Sequence, residues 1–324
     1  MDLKLSVDTK KKQDSSVYDE TYDFLIIGGG AAGYTAGIYA SRFMIKTIIL
    51  AKNRGGTIID AHVVENYPGF KSISGMDLMK KFEDQVKSLN VPILDEEVVD
   101  IDHNDGIYHV KTDNNKVLKA KQILFATGTA RRKLNIKGEE NFLGKGVSYC
   151  ATCDAFFFKE KTVGIVGGSD AAATAALLLS QFAKQVYIIY RGDKLRAEPY
   201  WVDIIEKDSK IKIITNANVL RINGDNFVKS VDLDTGENIA LDGVFIEIGS
   251  VPTASLTKKL GIELDDKGYI KVDASMKTNI ETAYAAGDVS NAFNQMKQLV
   301  TAVTGGAIAA ETAYKYIKQS KKQR

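Results

Sequence analysis

Cysteine is scarce in this chain: 324 residues contain two, Cys150 and Cys153, both within "VSYCATCDAFFF". A structural zinc site needs about four ligands. No second cysteine pair exists, and the three histidines, His62, His103 and His109, lie elsewhere in the sequence. No metal site is therefore expected. An excess of one charge is also missing. Against 43 basic residues stand 41 acidic ones, for a net charge of +2. That balance excludes the clustered Lys/Arg surplus of a nucleic-acid footprint, and the basic tail "KQSKKQR" reads as a solvated end. No run approaches the roughly 18 apolar residues of a membrane helix. The first 20 residues are too polar for a secretory signal and are expected to form a disordered extension. The default location is a reducing cytoplasm. There, an adjacent cysteine pair points to catalysis or metal binding rather than to a structural link.

What is present is ordinary for a soluble globular chain, 44% apolar and 26% charged, with a length that suits two modest domains. Residues 22–33, "YDFLIIGGGAAG", read as an apolar strand entering a glycine turn, followed by a helix and a second strand, "KTIIL". Gly28, Gly30 and Gly33 have G-x-G-x-x-G spacing. The first permits the tight turn, the second lets a pyrophosphate approach the backbone, and the third lets the helix pack on the strand. The unpaired N–H groups of the helix N-terminus then face the phosphates. The same order recurs at 161–191, "KTVGIVGGSDAAATAALLLSQFAKQVYIIYR", with its turn beginning at Gly167. One such turn is weak evidence, but two in strand–turn–helix context imply two dinucleotides, most economically a flavin and a nicotinamide.

A polar helix is expected near 75–89, short strands near 106–125 and 210–249, and a last helix from about 298 to 318. "ATGTARR" (126–132) and "GSVPTA" (249–254) place Gly or Pro beside strand ends and would serve as hinges. The expected fold is α/β, with two Rossmann-like, three-layer ββα dinucleotide-binding domains, the second inserted in the first. Residues 21–127 and 250–324 would form the first domain and residues 128–249 the second, which carries the cysteine pair.

The C-x-x-C spacing puts both sulfurs on one face of a helical turn, within disulfide reach. At a helix start, the N–H groups and the dipole favour thiolate at the first cysteine, a good nucleophile for exchange. Two inert buried thiols would be the bland alternative. The redox reading gains from the neighbouring dinucleotide unit. Asp154 follows directly. It is either an exposed acid that suits the helix dipole or a proton donor to a thiolate released on disulfide reduction.

In order, "GGGAAG", "ENYPGF", "ATG", "CATCD" and "AAGDV" resemble low-molecular-weight thioredoxin reductase, a likeness that runs from residue 22 to about 318. It implies a homodimeric flavoprotein that passes electrons from NADPH through FAD to the C-x-x-C disulfide and then to thioredoxin or a glutaredoxin-like protein. The same resemblance implies that the first domain is the FAD-binding and the second the NAD(P)H-binding domain. By position it implies FAD contacts at Gly28, Gly30, Ala31, Ala32, Gly33, Gly55, Gly56, Thr57, Asn66, Thr127 and Gly128. Asp288 would accept the ribityl hydroxyls, and Lys297, Gln298 and Leu299 would line the flavin. Cys153 would face the flavin and Cys150 would attack thioredoxin. NADPH would meet Gly167, Gly168, Ser169, Asp170, Ala171, Arg191 and Arg196.

The chain departs from that pattern in places. No acid ends the second strand, where Ala51 and Lys52 stand instead. Ser169 replaces the middle glycine of the second turn, and Thr174 and Ala175 replace a usual Glu pair. In "YRGDKLR", Arg191 and Arg196 remain, but Gly192 replaces the middle Arg of the 2′-phosphate grip. Losing one charge-assisted hydrogen bond, about 1.5–3 kcal/mol, weakens binding by about tenfold or more. Modest affinity for NADPH and poor discrimination against NADH are expected. The alternatives are a flavoprotein served by ferredoxin or oxygen, and a poorly active, redox-responsive FAD-binding protein.

Overall fold

A computed structural model describes residues 15–61 and 63–322. Six α-helices organise them: α1, Ala31–Arg42; α2, Gly75–Ser88; α3, Ala151–Asp154; α4, Asp170–Ser180; α5, Pro199–Lys207; and α6, Leu299–Lys322.

The apolar strand Phe24–Gly29 is the middle of a five-stranded parallel sheet. On one side it pairs with Thr47–Arg54, and then come Ile93–Leu94; on the other are Ile123–Phe125 and, beyond them, Ala283–Ala285. The last of these strands comes from the far end of the chain, so the two ends of the sequence build one sheet. Its strands read as continuous apolar runs because both faces are covered. One face packs on α1, α2 and α6 through residues such as Ile26, Ile49 and Tyr284. The other, through Leu25, Ile48 and Ile123, packs on a second sheet of four strands, Thr21–Tyr22, Val117–Ala120, Ile107–Thr112 and Val98–Asn104. Helix α2 starts where expected because Ser74 caps it, its hydroxyl accepting the Asp77 N–H at 3.0 Å.

The second lobe repeats this plan. Five parallel strands lie in the order Val147–Ser148, Gly243–Ile246, Thr162–Val166, Gln185–Ile189, Ile211–Ile214. Helices α3, α4 and α5 cover one face, and the antiparallel strands Val219–Gly224, Val228–Leu233 and Asn238–Ala240 cover the other. Both lobes therefore have the three layers expected.

The two stretches read as hinges pair with each other. Thr129–Arg131 and Ser250–Pro252 form an antiparallel ribbon in which Ala130 faces Val251. Gly128 and Gly249 flank it with φ of +62° and +86°, a left-handed backbone that glycine adopts without strain. One expectation needs correction. The extension over 1–20 was expected to be disordered throughout, yet Ser15–Tyr18 form a 3-10 turn, and Val17 and Tyr18 pack on the first lobe's core. Burying those side chains offsets the entropy of ordering the turn. Residues 1–14 lie outside the described residues. Among the described residues, no helix is long and apolar enough to cross a membrane.

Candidate active site

The first glycine turn is as tight as its spacing requires. Gly28 has φ +120°, and a Cβ there would lie 2.1 Å from the carbonyl oxygen of Ala126. A Cβ on Gly33 would lie 1.9 Å from the carbonyl oxygen of Gly28. Gly30 is the N-cap residue of α1, and Ala31, Ala32 and Gly33 make its first turn. Gly55 and Gly56, with φ +83° and +65°, bring a second backbone segment against this one. A Cβ on Gly56 would lie 3.1 Å from the Gly30 Cα. Thr57 follows in the 3-10 turn Gly56–Asp60. The turn that carries Asp288 joins them, because a Cβ on Gly287 would lie 3.1 Å from the Ala32 methyl. A crevice walled by backbone at a helix N-terminus fits a pyrophosphate.

Around it, the structure draws together residues far apart in sequence. Asn66 donates its amide to Gln298 at 3.2 Å. Thr127 donates its hydroxyl to the Thr253 carbonyl at 2.6 Å. Lys297 donates to the Ser290 carbonyl, and its ammonium lies 4.2 Å from the centre of the Tyr269 ring. Leu299 opens α6. Burial pushes the Asp288 carboxyl above its usual range against the pull of Lys297, and burial pulls the Lys297 ammonium down. A partly buried carboxylate of this kind suits a hydroxyl-bearing ligand that donates to it.

The second turn is built differently. Gly167 has φ +151°. Ser169 holds the N-cap position of α4 in an extended conformation, without a side-chain cap hydrogen bond. Asp170 is tied off, accepting the Glu198 N–H at 2.6 Å, and Ala171 follows in the helix. The Tyr190 ring lies between Gly168 and Gly192; a Cβ on either would fall 2.6 Å from it. Gly192 thus stands where the ring leaves no room for a side chain, which accounts locally for the missing arginine. The Arg196 guanidinium lies 5.9 Å from the centre of the same ring, while the Arg196 backbone N–H donates to the Gly168 carbonyl at 2.6 Å. Arg191 and Arg196 are exposed at the strand end, placed to meet a phosphate.

Cys150 and Cys153 form a disulfide, with Cα atoms 5.3 Å apart. Cys150 is the N-cap residue of α3 rather than a member of it, and its sulfur accepts the Cys153 N–H at 3.1 Å. An N–H aimed at that sulfur favours its thiolate once the bond is reduced. Asp154 closes the short helix, its N–H on the Cys150 carbonyl at 3.2 Å.

Three residues at this site were not anticipated from the sequence. Asp60, at the end of the Gly56–Asp60 turn, places a carboxylate oxygen 3.7 Å from the Cys150 sulfur, and its backbone carbonyl accepts the Thr152 hydroxyl. Its other carboxylate oxygen takes the Arg131 guanidinium. Arg131 also reaches Glu247 at 3.3 Å. Glu247 is 9% exposed. Burial pushes its carboxyl up to about 7, with Asp60 adding to the rise and Arg131 opposing it. No spacing motif marks these three. The first hinge stretch carries two adjacent arginines, Arg131 and Arg132, and nothing in the sequence singles out either.

Two nucleotide crevices and a redox-active disulfide beside the second define a nucleotide-dependent disulfide oxidoreductase. The family model described as pyridine nucleotide-disulphide oxidoreductase matches residues 22–317, and the chain belongs to that family. Within it, the relatives are thioredoxin reductases. The one from Peptoclostridium acidaminophilum is 38% identical over 312 residues, 92% of this chain and 98% of its own. The crystal structure of Lactococcus lactis thioredoxin reductase, described as the FR conformation, superposes with a TM-score of 0.88 at 37% identity, covering 92% of this chain and 99% of that one. The thioredoxin reductase of Streptococcus pyogenes MGAS5005, at 36% identity and the same coverage, gives 0.62.

Proposed function

We propose that this enzyme oxidises NADPH and reduces the disulfide of thioredoxin, with FAD in the first crevice and Cys150–Cys153 as the relay. The observation that carries the reading is the disulfide itself, formed at the N-terminus of α3 and hinged with the second lobe against the first. Residues 21–127 and 250–324 form the FAD lobe, and 128–249 the nicotinamide lobe. A flavin held in the first crevice would supply the two-electron chemistry that links a nicotinamide hydride to a disulfide.

The protein's own residues do the rest. The backbone of Gly28, Gly30, Ala31, Ala32 and Gly33, with Gly55, Gly56 and Thr57, holds the FAD pyrophosphate region. Asp288 accepts ribityl hydroxyls. Asn66, Thr127, Gly128, Lys297, Gln298 and Leu299 border the ring. The backbone of Gly167, Gly168, Ser169, Asp170 and Ala171 receives the NADPH pyrophosphate, and Arg191 and Arg196 meet its 2′-phosphate. On reduction, two electrons break the sulfur–sulfur bond; Cys153 faces the flavin, and Asp154 delivers one proton to the pair, which leaves one thiol and the Cys150 thiolate. Cys150, kept as thiolate by the α3 N–H groups, attacks the thioredoxin disulfide. Cys153 then breaks the mixed disulfide, which restores the internal bond and releases reduced thioredoxin. Phe156 and Phe157, 69% and 76% exposed beside the pair, offer an apolar landing for a protein substrate.

Nicotinamide and disulfide ride on one lobe and must reach the same flavin in turn, so the lobe rotates about the Thr129–Arg131/Ser250–Pro252 ribbon. The TM-scores of 0.88 and 0.62, at nearly equal identity and coverage, support two lobe orientations within one fold. A homodimer in the cytoplasm, with thioredoxin or a glutaredoxin-like protein as acceptor, completes the reading.

The test is thiol formation by the holoenzyme with purified thioredoxin and either nicotinamide. Cys153→Ser should lower thioredoxin reduction on the order of 10³-fold or more, the scale of losing a nucleophile, while NADPH still bleaches the flavin. A variant that keeps full turnover overturns the relay.

A further inference from the structure

Asp60 belongs to the FAD lobe, Thr152 and Glu247 to the other, and Arg131 to the ribbon between them. Three polar contacts join these residues: the Thr152 hydroxyl on the Asp60 carbonyl, Arg131 on the Asp60 carboxylate, and Arg131 on Glu247 at 3.3 Å; the Asp60 carboxylate also lies 3.7 Å from the Cys150 sulfur. Glu247 stands directly under the second glycine turn; its carbonyl oxygen lies 2.2 Å from where a Gly167 Cβ would be. One guanidinium thus ties a carboxylate of one lobe to a buried carboxylate of the other, at the turn that receives the nicotinamide nucleotide. Asp60, Arg131 and Glu247 are all partly or largely shielded from water, with side-chain exposures of 29%, 31% and 10%. That shielding makes charge-assisted hydrogen bonds count. Any rotation about the ribbon that carries α3 away from the Gly56–Asp60 turn must break the Thr152 contact and separate Asp60 from Glu247.

We propose that Asp60, acting through Arg131 and Thr152, is a positioning residue that clasps the Cys150 turn to the FAD lobe, and that its release is a step of every turnover. This rests on the two-orientation reading above. Asp60 takes no electrons and moves no proton in this role. It sets how long the lobe dwells as seen here, and so sets the balance between the half-reaction this orientation admits and the one it excludes.

Rapid mixing of the holoenzyme with NADPH separates the two half-reactions: flavin bleaching and electron arrival at the disulfide, read as new thiols. Loss of the charged contact in Asp60→Asn should move the two rates in opposite directions and shift their ratio by about tenfold. Asp60→Glu should restore part of the shift. Arg131→Gln combined with Glu247→Gln, which removes the guanidinium without stranding the Glu247 charge, should reproduce it. In the resting enzyme, hydrogen exchange over 56–60 and 150–154 should quicken together in Asp60→Asn. General structural damage would slow both half-reactions alike. That result, or an unchanged ratio, overturns the clasp.

A second measurement isolates the underlying reading. Tyr200 and Glu65 meet across the lobes at 3.4 Å. Glu65→Cys and Tyr200→Cys, joined by a short bismaleimide while the native pair stays oxidised, should halt turnover. Undiminished turnover in the linked protein overturns the rotation and the clasp together. Arrested turnover with an unaltered ratio in Asp60→Asn overturns the clasp alone.

Discussion

In the first lobe, the Cβ that Gly33 lacks would lie 1.9 Å from the Gly28 carbonyl oxygen; in the second, the matching position is Ala172, whose methyl stands 3.2 Å from where a Gly167 Cβ would be. The middle position differs in the same sense, Gly30 against Ser169. Both turns join a parallel strand to a helix, yet only the first has its helix drawn onto the strand as closely as backbone contact allows. The tighter crevice suits a group that stays bound through many turnovers. The looser one suits a nucleotide that must arrive and leave each time, because every contact made in the bound state has to be broken on release.

The sharpest way to break this comparison is to exchange the residues that define it. Gly33→Ala should overpack the first turn and cost about 1–3 kcal/mol. The protein should purify with less yellow chromophore and a lower Tm. Ala172→Gly should cost only about 1 kcal/mol, from helix propensity, and leave flavin content unchanged. Equal losses from the two changes would erase the distinction between the lobes.

Glu247 gives a second contrast, since burial also pushes up the first lobe's Asp288, but that carboxyl is only partly buried. The Glu247 carboxyl, near 7 when folded, titrates at about 4.3 when exposed. The folded state therefore holds its proton more tightly. The stability this contributes is complete below about pH 4.3 and is lost as pH rises toward 7, by about 2–3 kcal/mol. Urea unfolding between pH 5 and pH 8 should show that decline in the parent protein and a flatter profile in Glu247→Gln.

The smallest expected effect sharpens the nucleotide site. Gly192→Arg should not by itself raise the preference for NADPH, because the Tyr190 ring occupies the space its Cβ needs. Coupled with Tyr190→Ala, the new guanidinium gains room, and kcat/KM for NADPH over NADH should rise about tenfold. A single change that already achieves this would show that the ring yields. In the parent enzyme, a preference for NADPH above about a thousandfold, worth about 4 kcal/mol, would contradict the weak discrimination expected from Gly192.

Much of the fold was legible because its signals are local. Apolar runs, glycine spacing and helical patterns act over a few residues, and they placed both βαβ units, α2 and the last helix. The hinge stretches were visible as Gly and Pro beside strand ends, but their mutual pairing was not, since 119 residues separate Arg131 from its partner Ser250 in the ribbon. The same limit applies to the site. Cys150, Cys153 and the glycines announce themselves by spacing. Tyr190 filling the place of a side chain at Gly192 does not.

From its sequence alone, this protein determined that it has two dinucleotide turns, a neighbouring thiol pair and a chain that crosses between lobes twice. These follow from residue type and short spacing, which backbone sterics read directly. Only the tertiary structure decided that Asp60, Arg131 and Glu247 meet beside Cys150. Such contacts depend on how two lobes are set against each other, and charge in a sequence does not say which partner it will find.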